Sequence, residues 1–381
     1  MGLFGGKKRS FIGIDLGSGG IKLVELKNDK GRTKLFTYAF TERMPGAEPM
    51  NLVDAPEEAA GLLKKMLAKS RVSTNKVIGG LPVASVFSSV VTVPRASDKE
   101  IQESARWQAK KLIPVPLDEM QLDFKVINDG AKKMDKAQLK KAAEESKTGE
   151  KKGGGNGAAK ADEKKTVQVL ITGASNTMVQ KYVNVFQRAG LQLVSLETET
   201  LALVRSLIGK DRSTTMLVDI GAVRTNIIIV ENGIPYVTRS VDMGGVALTR
   251  AMAKALSIDV KAAEEMKCDI KSVSSIYPGE GLPKIFEASM APMVTELQYS
   301  TNLYTGQNAG GEEKSVEKII LTGGTAALPA LADYFARQLN MKVYVGDPWA
   351  RVAYPDDLRP VLDEIGTRFS VAVGLAMSEM E

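Results

Sequence analysis

Short apolar runs ended by polar turns recur along this chain in an order that repeats. Phe11-Ile12-Gly13-Ile14 reads as a buried strand ending in Asp15-Leu16-Gly17-Ser18, and a second strand-like run covers 21–26. Met216-Leu217-Val218 repeats the pattern and ends in Asp219-Ile220-Gly221-Ala222, with its own second run at 225–230. A third strand is predicted at 34–40 in the first copy and at 235–241 in the second, each followed by a helix. The first helix is expected to start with Asp54 as cap and Glu57 three residues on, and it gathers Ala59, Leu62, Leu63, Met66 and Leu67 on one face. The second, 245–256, aligns Leu248, Met252 and Ala255. Another strand follows directly at 76–81 in the first copy, but only at 318–322 in the second.

Two copies of this order predict two α/β domains of one kind, each carrying an insertion. The expected division is a core domain over 9–85, completed by a C-terminal helix at about 357–381, with an inserted subdomain over 86–197 that contains a disordered stretch at 130–165. A second core domain covers 198–248 and 317–356 and carries an inserted helical subdomain over 249–316. In the first insertion, Ser97 and Glu100 form a capping-box start to a helix that Pro114 stops. Strands at 121–127 and 167–171 and a helix at 177–189 follow. The second insertion holds helices at 260–268 and 285–304 and a Gly-rich turn at 306–311.

Composition narrows the classes. With 44% hydrophobic and 25% charged residues the chain is of the soluble globular type, and no apolar run approaches the roughly 18–20 residues that span a bilayer. One cysteine, Cys268, and no histidine leave no internal disulfide and no Cys/His zinc site, which points to a reducing cytoplasm. The formal charge of +6 resides almost wholly in 130–165, where 11 Lys face 6 Asp and Glu. A solvated insertion without nucleic-acid partners is expected there, contact with anionic lipid or nucleic acid being the alternative.

The candidate chemistry lies in the turns. A glycine-rich hairpin lets backbone N–H groups approach phosphate oxygens, and an aspartate at the strand end can hold Mg²⁺ through water. Asp15 and Asp219 suit that role, Ser18 can donate a hydroxyl, and Lys22 supplies charge on the strand leaving the first turn. A third turn, Thr322-Gly323-Gly324-Thr325-Ala326, runs from strand 318–322 toward a helix at 328–339; its glycines allow a base or ribose to lie on the backbone.

These paired Asp-x-Gly turns with a late Gly-Gly-Thr-Ala turn resemble the phosphate 1, phosphate 2 and adenosine motifs of the actin, hexokinase and heat-shock chaperone superfamily. The resemblance implies an actin-like fold of two duplicated ribonuclease-H-like domains that binds ATP and Mg²⁺. By position, Asp15, Gly17, Ser18 and Lys22 match the first motif, Asp219, Gly221 and Thr225 the second, and Gly323, Gly324 and Thr325 the third. Glu264 and Lys267 match a Glu-x-x-Lys helix that contacts the ribose in relatives, and Gly245, grouped with the phosphate contacts, matches a glycine lining the same site.

Within the superfamily the chain resembles the PilM family of type IV pilus assembly. The carriers are the first turn, Ala109-Lys110-Lys111-Leu112-Ile113-Pro114-Val115-Pro116-Leu117-Asp118-Glu119 and Phe369-Ser370-Val371-Ala372-Val373-Gly374-Leu375-Ala376. That family places a small inserted subdomain, of the PilM/FtsA type, in the first half. The resemblance implies a groove between it and the first core domain that receives the cytoplasmic N-terminal peptide of a PilN-like inner-membrane protein. It also implies other pilus components as partners, a cytoplasmic location peripheral to the inner membrane, and a part in twitching motility; a homo-oligomer stays open. Val223-Arg224 departs from the small or hydroxyl residues usual in the second turn, so Arg224 either contacts phosphate or faces solvent.

At most a slow ATPase is expected, because the general base is not evident; Glu197 and Glu199 are candidates. The alternatives are an actin-fold adaptor related to FtsA or to the type II secretion protein GspL. A sugar or acetate kinase would need an acidic base in an acceptor pocket, and no such signature stands out.

Overall fold

The computed structural model describes residues 10–128, 166–269, 284–306 and 314–380. The stretch expected to be disordered, 130–165, the basic start, and the Gly-rich turn beyond 306 lie outside them.

Strand β1 (Ser10–Gly17) occupies the middle of the first sheet, as its composition requires: Phe11, Ile12, Ile14 and Leu16 are buried on both faces. It pairs antiparallel with β2 (Gly20–Asp29), which pairs with β3 (Arg32–Phe40). Helix α1 (Pro56–Ser70) returns the chain so that β4 (Lys76–Leu81) lies parallel to β1. Its cap is Ala55 with Pro56 in the first turn, not the expected Asp54 box; the Asp54 carboxylate instead accepts from Asn51 and Lys181.

The first insertion departs at β5 (Val86–Pro94), followed by α2 (Asp98–Leu112), β6 (Met120–Asn128) and β7 (Thr166–Ser175). The three strands form an antiparallel sheet in the order β5-β7-β6, and α2 packs Ile101, Ala105 and Ala109 onto Val93, Val167, Val169 and Ile171. The predicted capping box of Ser97 and Glu100 is formed. Residues 86–176 constitute a compact unit of their own.

Chain return is through α3 (Asn176–Arg188) and β8 (Gln192–Thr198), which hydrogen-bonds parallel to β4. The boundary expected at 197 therefore falls earlier, because β8 belongs to the first sheet, whose order is β3-β2-β1-β4-β8. Helix α4 (Glu199–Leu203) then leads to the second sheet, built from β9 (Thr215–Ile220), β10 (Thr225–Glu231), β11 (Ile234–Val241), β12 (Lys318–Thr322) and β13 (Lys342–Val345). Its order, β11-β10-β9-β12-β13, copies the first strand for strand, with the same senses. The fifth strand of each sheet was not predicted. β8 mixes exposed and half-buried positions, and β13 is four residues long with Tyr344 and Val345 exposed, so neither shows a clear period of two.

Helices α5 (Gly245–Leu256), α6 (Val260–Cys268) and α7 (Lys284–Thr305) share one core with the second sheet, through Leu248, Met252, Ala263, Phe286 and Met290 against Ile227, Ile229 and Ile319. The expected helical insertion is thus continuous with that core. Each large apolar side chain fully buried there contributes about 1.5–3 kcal/mol. After α8 (Leu331–Leu339), α9 (Arg359–Ile365) precedes α10 (Ser370–Met377), which lies against β1 and crosses α4. At the crossing, Gly374 packs so closely on Ala202 that a Cβ would strike its backbone. Arg205 pins the crossing by donating to the Gly374 carbonyl, 2.8 Å, and to both carboxylate oxygens of Glu197 at 2.8 and 3.0 Å. Leu203, Val371 and Leu375 meet Phe11 and Ile78 of one sheet and Leu217 and Ile228 of the other, so the two sheets share one buried cluster.

Candidate functional site

The two central strands end at the same cleft. β1 delivers Asp15 beside Lys22, its partner across the hairpin; β9 delivers Asp219 beside Asn226. The first turn approaches the second so closely that a Cβ on Gly19 would lie 3.2 Å from that of Ala222. The second turn is locked by its own backbone: the Gly221 N–H donates to Arg224, and Gly245 and Val246 at the start of α5 donate to the carbonyls of Gly221 and Ala222, at 2.8–2.9 Å. β12 runs parallel to β9 with Thr322 opposite Asp219, which places Gly323 against the end of β9. Gly323 has φ +85°, and a Cβ there would meet the Ile220 carbonyl and the Asp219 carboxylate at 2.5 and 2.7 Å, so only glycine fits. The resulting cleft has a volume of about 1110 Å³, ample for a nucleoside triphosphate.

Three carboxylates share the cleft floor. Glu199, at the start of α4, accepts from the Val83 N–H and from the Asn226 amide, each at 3.3 Å, and the same amide reaches Asp219 at 3.2 Å. Burial raises Asp15, opposed by Lys22; burial and the Asp15 charge push Asp219 up to about 6, opposed by Asn226 and Lys22. Burial and the charges of Asp15 and Asp219 hold Glu199 well above the usual carboxylate range. Such a floor repels a bare polyphosphate and attracts a divalent cation. Among the described residues no group of three acidic, histidine or cysteine side chains is close enough to hold a metal directly. Asp15 and Asp219 fit an ion that keeps its water shell, as Mg²⁺ does.

The end of the cleft expected to take the nucleoside is built from charge. Lys267 donates to the Gly245 carbonyl, the Thr249 hydroxyl and Glu264 at 3.0, 2.7 and 2.9 Å. Glu264 also accepts from Thr249 and pairs with Arg43 at 3.7 Å. Burial would raise this carboxyl, but the bonds from Thr249 and Lys267 and the nearby Arg43 outweigh it and hold it low. Gly324 and Thr325 also line the cleft, and a Cβ on Gly245 would lie 2.8 Å from the Thr325 hydroxyl oxygen.

Asp15, Gly17, Ser18, Lys22, Asp219, Gly221, Gly245, Glu264, Lys267, Gly323, Gly324 and Thr325 all line this cleft, and Thr225 does not. Its side chain is buried, with the hydroxyl donating to the Met243 carbonyl at 2.7 Å. Alternation along β10 explains the difference: if Asn226 faces Asp219, its neighbour must face away. Asn226 was missed by the sequence reading, although its place beside Asp219 in the hairpin register was available. Glu197 is turned to Arg205 and lies outside the cleft, which leaves Glu199 as the acidic candidate. Arg224 lines the cleft rim, paired with Asp242 at 2.7 Å.

Two like sheets closing on crossed helices, with paired aspartate turns beneath a third glycine turn, define a protein of the actin-like fold. The family described as type IV pilus assembly protein PilM matches residues 13–153 and 156–380, and the chain belongs to that family. A solved PilM–PilN type IV pilus biogenesis complex is similar over 97% of this chain and 98% of that chain, with a TM-score of 0.74 and 25% identity. The ethanolamine utilization protein EutJ of Carboxydothermus hydrogenoformans shares the fold, with a TM-score of 0.52 and 16% identity over 97% of this chain and 89% of that one. The cell division protein FtsA of Neisseria meningitidis serogroup B is 26% identical over 226 residues, which are 54% of this chain and 52% of FtsA. The chain thus spans about half the length of the curated relatives it matches. Among the described residues no helix is long and apolar enough to cross a membrane.

Proposed function

We propose that this chain is a cytoplasmic Mg²⁺·ATP-binding component of type IV pilus assembly. It binds the N-terminal peptide of a PilN-like inner-membrane protein and is held at the membrane by that contact. The observation that carries the nucleotide reading is the meeting of Asp15 and Asp219 at one acidic cleft floor between two glycine turns. Asp15 and Asp219 would hold a hydrated ion, which would supply neutralisation of phosphate charge; Lys22 and Ser18 would face the phosphates, and Glu264 with Lys267 the ribose. Occupancy draws the two sheets together about the crossing of α4 and α10, and the angle between them sets affinity for partners. Glu199 orients the attacking water, and turnover is slow.

Calorimetry with ATP and Mg²⁺ tests the first part: binding is expected for the wild type and lost on adding EDTA, and unchanged binding in Asp15→Ala and Asp219→Ala would sink it. A pull-down with a PilN N-terminal peptide, with and without nucleotide, tests the second. The similarity to FtsA favours a competing reading as a cell-division adaptor. Failure to capture the peptide by a chain that does bind ATP would favour that reading.

A further inference from the structure

Residues 41–51 join the end of β3 to the buried turn at Leu52–Asp54 without entering either sheet. Both ends of the segment are fixed. The Thr41 N–H donates to the Ile21 carbonyl and its hydroxyl accepts from the Ile21 N–H, each at 2.9 Å, while Leu52 and Val53 are buried. Between these anchors the segment runs along the cleft wall and makes three ion pairs, two of them to the second half of the protein. Glu42 accepts from Arg368 at 2.5 Å, Arg43 pairs with Glu264 at 3.7 Å, and Glu48 pairs with Arg250 of α5 at 3.1 Å. Gly46, at φ +80°, lies against Lys261 of α6, where a Cβ would come within 3.1 Å of its side chain. Glu42, Arg43, Pro45 and Glu48 line the cleft on this side, and Met44 at the outer bend is 75% exposed.

We propose that 41–51 is a clasp over the nucleotide cleft, which must let go of the second half for nucleotide to pass, and that it lends Arg43 to the nucleoside end as a further binding residue. This rests on the nucleotide reading above and adds a device to it. The clasp is tied to the second half by side-chain charge, not by a backbone ladder, so it can open without breaking either sheet. Arg43 is the one of its three charged contacts that also touches the candidate nucleoside machinery, sharing Glu264 with Lys267. Clasp closure and the ribose contact are thereby linked through a single carboxylate. Glu48 and Arg250 also line the cleft, but both are exposed and they pair with each other, which makes them the latch.

The test is release of a fluorescent ATP analogue from the full chain with Mg²⁺, followed by stopped flow. An exposed pair is worth a few-fold in an equilibrium, so reversing one partner is expected to speed release about three- to tenfold in Glu48→Arg, and likewise in Arg250→Glu. The double reversal is expected to restore the slow rate. Release should also quicken with salt, since screening shortens from about 10 Å at 0.1 M to about 3 Å at 1 M. Arg43→Ala is expected to weaken equilibrium affinity as well, whereas the latch variants change association and release together. Hydrogen exchange without nucleotide provides an independent readout: protection across 41–51 should fall in Glu48→Arg and return in the double variant. Unchanged release and exchange in the single reversals, or no rescue in the double, would overturn the clasp. A wild type that binds no analogue while the exchange pattern is as expected would overturn the nucleotide reading and Arg43's role in it, leaving a clasp over a cleft for another ligand.

Discussion

Replacing Asp219 by Asn should make the ligand-free protein more stable and the ligand-binding protein worse. The carboxyl rises from an ordinary 3.8 to about 6, chiefly through burial and then through the Asp15 charge. Between those two values the folded protein holds a proton that the unfolded chain has released, so folding stability falls as pH rises through that window. At 1.36 kcal/mol per pH unit the full difference is about 3 kcal/mol; because the cleft admits water to the carboxyl, about 1–3 kcal/mol is the expected range above pH 6. Asparagine keeps the shape and still offers an oxygen to the Asn226 amide, so little else changes. Urea unfolding without ligands should therefore show Asp219→Asn equal to wild type near pH 4 and more stable by that amount at pH 7.5. The order should reverse with Mg²⁺·ATP, which stabilises the wild type and not the variant. Equal stability at pH 7.5 would refute the electrostatic account. An undiminished ligand effect in the variant would refute the role of Asp219 at the metal.

The third turn offers a paired test of geometry. Gly323→Ala puts a Cβ against the Ile220 carbonyl at positive φ and is expected to cost about 2–4 kcal/mol in urea unfolding, while Gly324→Ala meets nothing nearer than Arg368 Cγ at 3.9 Å and should cost about 1 kcal/mol or less. Similar losses at both positions would remove the argument from close approach. Glu199→Gln preserves the acceptor for Val83 and should leave Mg²⁺·ATP affinity within about twofold while lowering phosphate release at least tenfold. Turnover that survives the change would exclude Glu199 from the chemistry.

Much of this architecture was legible in the chain itself. The repeat of apolar run and Asp-x-Gly turn determined two like sheets, because a strand buried on both faces must be apolar throughout and each run ends in a tight turn that pairs it with the next. The runs at 76–81 and 318–322 matched strands β4 and β12 residue for residue. What pattern did not supply came from contacts between distant segments. Strands β8 and β13 are specified by the parallel neighbours that hold them, β4 and β12, and not by their own weak alternation. The choice of Asn226 over Thr225 at the cleft follows from which face of β10 meets Asp219. Glu199 became distinct from Glu197 only because one sits on the cleft floor and the other meets Arg205 at the helix crossing. The ion pairs of 41–51 join residues hundreds of positions apart, as Glu42 and Arg368 illustrate. Local sequence sets what a segment can form; which charges share one low-dielectric cleft depends on where the whole chain brings them, and that is a property of the tertiary structure alone.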